Sequence, residues 1–225
     1  MAGATPEAPK GAVREIPIFP LNTVLFPGTW LPLRVFEPRY RQMLADCLDG
    51  ERAFGVALIM FGEEVAGPAT PHRTGTLARI QEVGQEGGMF HLLVRGDQRF
   101  EVESLIEGGP YPRARVRMLP PLDIAPGDEA AARDLRLMHE LYVKALGRAA
   151  RVLRQPWPPE LLAPIPAGDA LVVANWVGWM LPTENGSKQV ILEAASLKEM
   201  LAAERLVLQA DLQKWEGVLR KPTRG

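Results

Sequence analysis

Ser187 and Lys188 stand side by side in Asn185-Gly186-Ser187-Lys188-Gln189, and a serine beside a lysine is one way to build a hydrolytic nucleophile with its base. Adjacent helical residues project about 100° apart, so these two side chains cannot readily share a proton and no dyad is expected. The same run lacks the upstream glycine and the hydroxyl after the lysine that a phosphate-cradling loop requires, which leaves no expected ATP site. Cys47 with His72, His91 or His139 would supply a thiol and a base. Cys47, however, shares an apolar stripe with Tyr40, Met43 and Leu44, where a free cysteine behaves as a small hydrophobe, and nothing near it in sequence would hold a thiolate. The three histidines show no ligand spacing, so no metal and no cofactor are expected. The expected catalytic set is empty, and the chain reads as a non-enzyme.

The remaining candidates are charged or aromatic. Arg113, Arg115 and Arg117 recur at every second position, placing three cations on one strand face, where they could hold phosphates or an acidic peptide. A preceding antiparallel strand closing through 107–112 would answer them, with Glu103 near Arg115 and Glu101 near Arg117. Arg34, Glu37 and Arg39 surround the junction Phe36-Glu37-Pro38-Arg39-Tyr40. Glu37 at a helix start is favoured by the dipole and Arg39 can lock it there, so Glu37, Pro38, Arg39 and Tyr40 read as a structural clamp. Arg95-Gly96-Asp97 reads as a hairpin turn.

These residues need elements to position them, and the organising stretch is 16–40. Prolines at 17, 20, 27, 32 and 38 each remove a backbone donor, so its strands must be short, bulged or at an edge. Leu31, Leu33 and Val35 alternate toward a core, and Pro38 suits the first turn of a helix carrying Tyr40, Met43, Leu44, Cys47 and Leu48. The run AFGVALIMF at 53–61 is apolar at both parities and reads as a central strand covered on both faces. A strand at 74–83 ends in the turn-rich QEGG. Phe90, Leu92 and Val94, then Phe100, Val102, Ser104 and Ile106, alternate inward on two strands joined at Gly96-Asp97, and a last strand follows GGPYP at 108–112.

At Pro120-Pro121 the alternation stops. The expected domains are a disordered tail at 1–14, a β-barrel subdomain at 15–120 and a helical subdomain at 121–225. In the last, Asp128 caps a helix ending near Gly147, PWPPE at 156–160 is a connector, and Asp169 opens a helix halted by Pro182. Thr183 or Asn185 caps another helix, and Ser196 with Glu199 has capping-box spacing before a final helix. Trp157, Trp176, Trp179 and Trp215 read as core.

With 225 residues, 47% hydrophobic content and a net charge of −1, the chain can bury a core and has no global field to attract nucleic acid or an anionic membrane. A single cysteine, no secretory leader and no apolar run of about 20 residues lead to an expected cytoplasmic location.

FPLNTVLFPG, LPLRVFEPRY, GTLARI, RGDQRF and YPRARV, in that order, resemble the amino-terminal domain of the ATP-dependent Lon protease family over residues 15–119. The part carrying KQVILEA and AERL resembles that domain's helical extension. The resemblance implies an α+β fold: a PUA-like β pseudo-barrel with one packed helix, followed by a C-terminal helical bundle. It implies a non-catalytic module binding unfolded or extended polypeptide segments, with a protease or chaperone as a further partner and weak homo-oligomerisation. Because residues 1–225 contain neither the family's ATPase nor its protease domain, a stand-alone binding domain is expected. Trp30, Arg34 and the loop at 62–73 are the peptide-binding candidates, by strand addition at a barrel edge. RNA binding through Arg113, Arg115 and Arg117 is the alternative, since PUA-like barrels bind RNA, although the near-neutral charge opposes it. An adaptor whose helical bundle docks a protease or another copy is the third reading.

Overall fold

Among the described residues up to Pro121, prolines and glycines punctuate seven strands and one helix. The computed structural model describes residues 11, 13–63, 69–154 and 163–220. Most of the expected tail at 1–14, part of the loop at 62–73, and the PWPPE connector with Trp157 lie outside the described residues. The chain divides into two compact units, Met1–Pro121 and Leu122–Gly225.

In the first unit the elements run β1 (Val13–Leu21), β2 (Trp30–Val35), α1 (Pro38–Asp49), β3 (Ala53–Gly62), β4 (Ala69–Pro71), β5 (Thr74–Glu86), β6 (Met89–Ile106) and β7 (Arg113–Met118). The sheet order β1-β7-β6-β5-β3 returns on itself because β1 also pairs with β3, in parallel, from Ile18 opposite Gly55 to Leu21 opposite Leu58. The result is a ring-like pseudo-barrel in a mixed α+β architecture. It is not a closed barrel: among the described residues β2 joins through β6 alone and β4 through β3 alone.

Side-chain parity builds two cores from one ring. Ile16 and Ile18 of β1, Ala53 and Ala57 of β3, Phe100, Val102, Val116 and Met118 form one cluster. Phe19 and Leu21, Phe54 and Val56, Ile80, Leu92 and Val94 point the other way, against Tyr40, Met43, Leu44 and Cys47 of α1. Strand β3 is thus covered on both faces from Ala53 to Leu58, but Met60 and Phe61 beyond it are exposed, so the expectation of a fully covered strand holds only for its first part.

The expected hairpin at Gly96-Asp97 is a correction. Strand β6 runs unbroken through Arg95, Gly96 and Asp97, and the turn lies at Gly87–Gly88, where φ values of 56° and 81° suit a tight hairpin between β5 and β6. Gly96 is required for a different reason: a Cβ there would collide with the Phe26 carbonyl. Its N–H donates to the Thr29 carbonyl at 2.9 Å and its own carbonyl accepts from Gly28 N–H at 2.8 Å. A bulge between Val102 and Ser104 in the β6–β7 pairing reverses the parity, so Ser104 is exposed rather than inward.

The second unit holds α2 (Asp128–Leu153), α3 (Ala170–Met180), α4 (Asn185–Leu192) and α5 (Leu197–Arg220). Asp169 caps α3 by accepting from Val172 N–H at 3.0 Å. At the start of α5, Ser196 Oγ accepts from Glu199 N–H at 3.3 Å while the Glu199 carboxylate reaches back to Ala195 N–H at 3.2 Å. Helix α2 does not end at Gly147. It continues to Leu153 because Ala145, Leu146 and Ala149 carry the buried stripe past the glycine. Gly127, rather than Asp128, occupies the N-cap position of α2; Asp128 instead accepts from Ala125 N–H at 2.8 Å. Glu184 stands where Thr183 or Asn185 was expected to cap α4.

Candidate functional site

Strand β2 alternates Leu31, Leu33 and Val35, packed toward the α1 cluster, with exposed Trp30, Pro32 and Arg34. Among the described residues the strand hydrogen-bonds to β6 alone, which leaves its other edge open there. A groove of about 610 Å³ follows it, lined by Phe19 and Leu21 of β1, Leu33 and Arg34 of β2, Tyr40 of α1 and His91 of β6, among others. Its floor is apolar, and Phe36, 49% exposed, stands at one end.

Glu37 also lines this groove, but its charge is engaged. Pro38 is the first residue of α1, and Glu37 before it is extended, with φ −67° and ψ 136°, making no side-chain cap bond. Its Oε2 instead accepts from Arg39 Nε at 3.0 Å, and Arg39 Nη2 lies in ion-pair contact with the same oxygen at 3.0 Å. The Arg39 guanidinium lies 4.6 Å from the Tyr40 ring centroid, and Tyr40 in turn packs 4.2 Å from the Phe19 ring. Glu37, Arg39 and Tyr40 are therefore one contiguous cluster joining helix to sheet. Arg34 makes no ion pair among the described residues, so it is the groove's uncompensated cation.

Three expected candidates come together here: Arg34, Glu37 and Tyr40. Trp30 does not line the groove; it sits at the other end of β2 beneath the Arg95 guanidinium, 5.8 Å from its ring centroid. His91, opposite Arg34 in the β2–β6 register, lines the groove, although the sequence marks it as neither a binding nor a catalytic candidate. The parity of β6 was the available signal, since His91 falls between inward Phe90 and Leu92. Phe19 and Leu21 were not foreseen as its floor, because the β1–β2 juxtaposition depends on ring closure.

The arginine stripe on β7 is elsewhere. Arg117 is held by Glu101 at 3.1 Å and by Glu103 at 3.3 Å, and Arg113 by Glu15 of β1 at 3.3 Å. The expected Glu103–Arg115 pair does not form: the bulge puts Ser104 opposite Arg115 and turns Glu103 to Arg117. Arg115 has no ion pair among the described residues.

No nucleophile emerges from the sequence candidates. Burial, with Asp46 adding to it, pushes the Cys47 thiol up to about 11, and its Sγ donates to the Ala53 carbonyl at 3.4 Å. Lys188 Nζ donates to the Trp179 carbonyl at 2.6 Å, capping α3 instead of serving Ser187, and burial lowers its pKa. Among the described residues no group of three or more His, Cys, Asp or Glu could hold a metal ion, and no helix is long and apolar enough to cross a membrane.

The model of the ATP-dependent protease La (LON) substrate-binding domain matches residues 15–209. The chain belongs to this Lon substrate-binding domain family. Among curated relatives, Lon protease of Phenylobacterium zucineum is 31% identical over 190 residues, covering 82% of this chain and 23% of that protein. Lon protease of Methylocella silvestris is 31% identical over 206 residues, covering 88% and 24%. The chain thus spans about a quarter of the length of these Lon relatives. In fold it is similar to the N-terminal domain of a Mycobacterium avium complex Lon protease, with TM-score 0.65 at 18% identity, covering 87% of this chain and 98% of that one. A Lon N-terminal domain protein from Xanthomonas campestris has TM-score 0.56 at 26% identity, covering 84% and 98%.

Proposed function

We propose that this chain is a non-catalytic module that binds unfolded or extended polypeptide segments in the groove beside β2. The observation that carries the reading is an apolar groove of about 610 Å³ laid along an open strand edge. Membership of a family described as substrate-binding supports it. An apolar side chain would enter over Phe19, Leu21 and Leu33, with Arg34 and His91 at the rim. RNA is disfavoured as ligand, since Arg113 and Arg117 already hold carboxylates and the net charge is −1.

A peptide array followed by fluorescence anisotropy tests the proposal. Saturable binding is expected, and Phe36→Ser should weaken it about fivefold or more at unchanged melting temperature, since losing part of an exposed aromatic contact removes on the order of 1 kcal/mol. An array on which nothing is retained overturns the reading. Salt-dependent RNA binding that is lost when Arg113, Arg115 and Arg117 become glutamine would replace it with the RNA alternative.

A further inference from the structure

We infer that the bound segment is held as an additional β-strand on the open edge of β2, contributing backbone N–H groups at alternate positions and an acidic side chain to Arg34. This rests on the peptide-binding reading above and specifies its ligand.

The alternation in β2 decides which backbone groups are offered. Gly96 N–H donates to the Thr29 carbonyl at 2.9 Å, and the register continues as Trp30 opposite Arg95, Leu31 opposite Val94 and Leu33 opposite Leu92. In an antiparallel pair, residues that exchange hydrogen bonds alternate with residues that do not. The Thr29 carbonyl and the amides of Leu31, Leu33 and Val35 therefore face β6, and Trp30, Pro32 and Arg34 turn theirs outward. Pro32 has no N–H to give, and its place on the outward row leaves the β6 ladder intact. The open edge offers two donors, Trp30 and Arg34, and three acceptors, the carbonyls of Trp30, Pro32 and Arg34. These span about 14 Å at the usual strand rise, so a segment of about five residues satisfies them.

Pro32 also limits the edge. A partner strand finds an acceptor there but no donor, which discourages indiscriminate edge-to-edge pairing. Selection then falls to side chains. The groove floor takes an apolar residue, and charge complementarity selects its neighbour: Glu37 is engaged by Arg39, leaving Arg34 for an acidic group.

The test uses fluorescein-labelled nonapeptides, each with a central leucine and one aspartate, and the best binder is scanned by backbone N-methylation, which removes one N–H at a time without changing side chains. Losses of about tenfold or more at alternate positions, with losses below about threefold between them, are expected. Binding that persists with no two-residue period overturns strand addition while leaving the groove reading standing; absence of binding by every peptide removes both. Arg34→Glu should weaken the aspartate peptide about tenfold at low salt, and the peptide carrying lysine in place of aspartate should recover it. Failure of that exchange overturns the acidic preference. Sedimentation showing a dimer abolished by Arg34→Glu would assign the edge to a second copy and also overturn the inference.

Discussion

Replacing Glu204 with glutamine should stabilise the helical unit, and by more as the pH rises. Glu204 lies on α5 with 0% of its surface exposed, and its carboxylate oxygens make no hydrogen bond of good geometry among the described residues. Desolvation by burial raises its pKa well above the ordinary value; only the Gly178 backbone leans the other way, favouring the charged form. An unfolded glutamate titrates near 4.3. Between that value and the raised folded one, the folded state keeps a proton that the unfolded state has lost, so stability is full at low pH and falls as pH rises. The loss is about 1.4 kcal/mol per pH unit within that window. Glutamine keeps the shape and removes the titration. Urea unfolding of both forms between pH 5 and 8, followed by fluorescence of Trp176 and Trp179 on the neighbouring α3, reads the difference. Parallel stability curves for the two proteins would refute a buried, proton-holding carboxyl. Because the chain has two compact units, the transition assigned to the helical one must be fitted by itself.

Other outcomes follow from single contacts. With its thiol pushed up to about 11 by burial, Cys47 should resist a thiol reagent at pH 8 until the protein is unfolded; rapid labelling of folded protein would contradict this. Gly96→Ala should destabilise the first unit by about 1–3 kcal/mol, seen as a lower melting temperature, because the added methyl collides with the Phe26 carbonyl. Glu37→Ala or Arg39→Ala should cost about 1 kcal/mol of stability through the lost Arg39–Glu37 hydrogen bond and ion pair; unchanged melting with abolished peptide binding would make the junction a ligand site instead of a clamp. Arg117→Gln, which releases Glu101 and Glu103 at the surface, should change stability by less than about 1 kcal/mol in thermal unfolding.

Local chemistry was legible in the sequence wherever the determinant was itself local. Asp169 before an apolar helix and the Ser196–Glu199 spacing located two helix starts, and the Leu31–Leu33–Val35 alternation found β2. What failed depended on residues distant in sequence. Gly96 looked like a turn because its true reason, the approach of the Phe26 carbonyl, lies 70 residues away in the chain. Glu103 was given to Arg115 by counting twos, and one bulge moved it to Arg117. Gly147 looked like a helix end until the buried stripe of α2 continued past it. The groove was half legible: Arg34, Glu37 and Tyr40 are neighbours in sequence, whereas Phe19, Leu21 and His91 reach it only through the ring.

That ring has a consequence for the order in which the chain can fold. Strand β1 finds its antiparallel partner in β7, with Val13 opposite Arg117 and Pro17 opposite Arg113, about 100 residues later in synthesis. Until β7 has left the ribosome, Ile16 and Ile18 can reach β3 but cannot finish their ladder, and the apolar first strand waits partly uncovered. Closure across so long a separation carries a high entropy cost before its contacts form, so refolding of the first unit should be slower than that of the helical unit, whose contacts are more local. A nascent chain halted before Met118 should consequently be cut by protease within β1, while the same strand in the finished unit is protected.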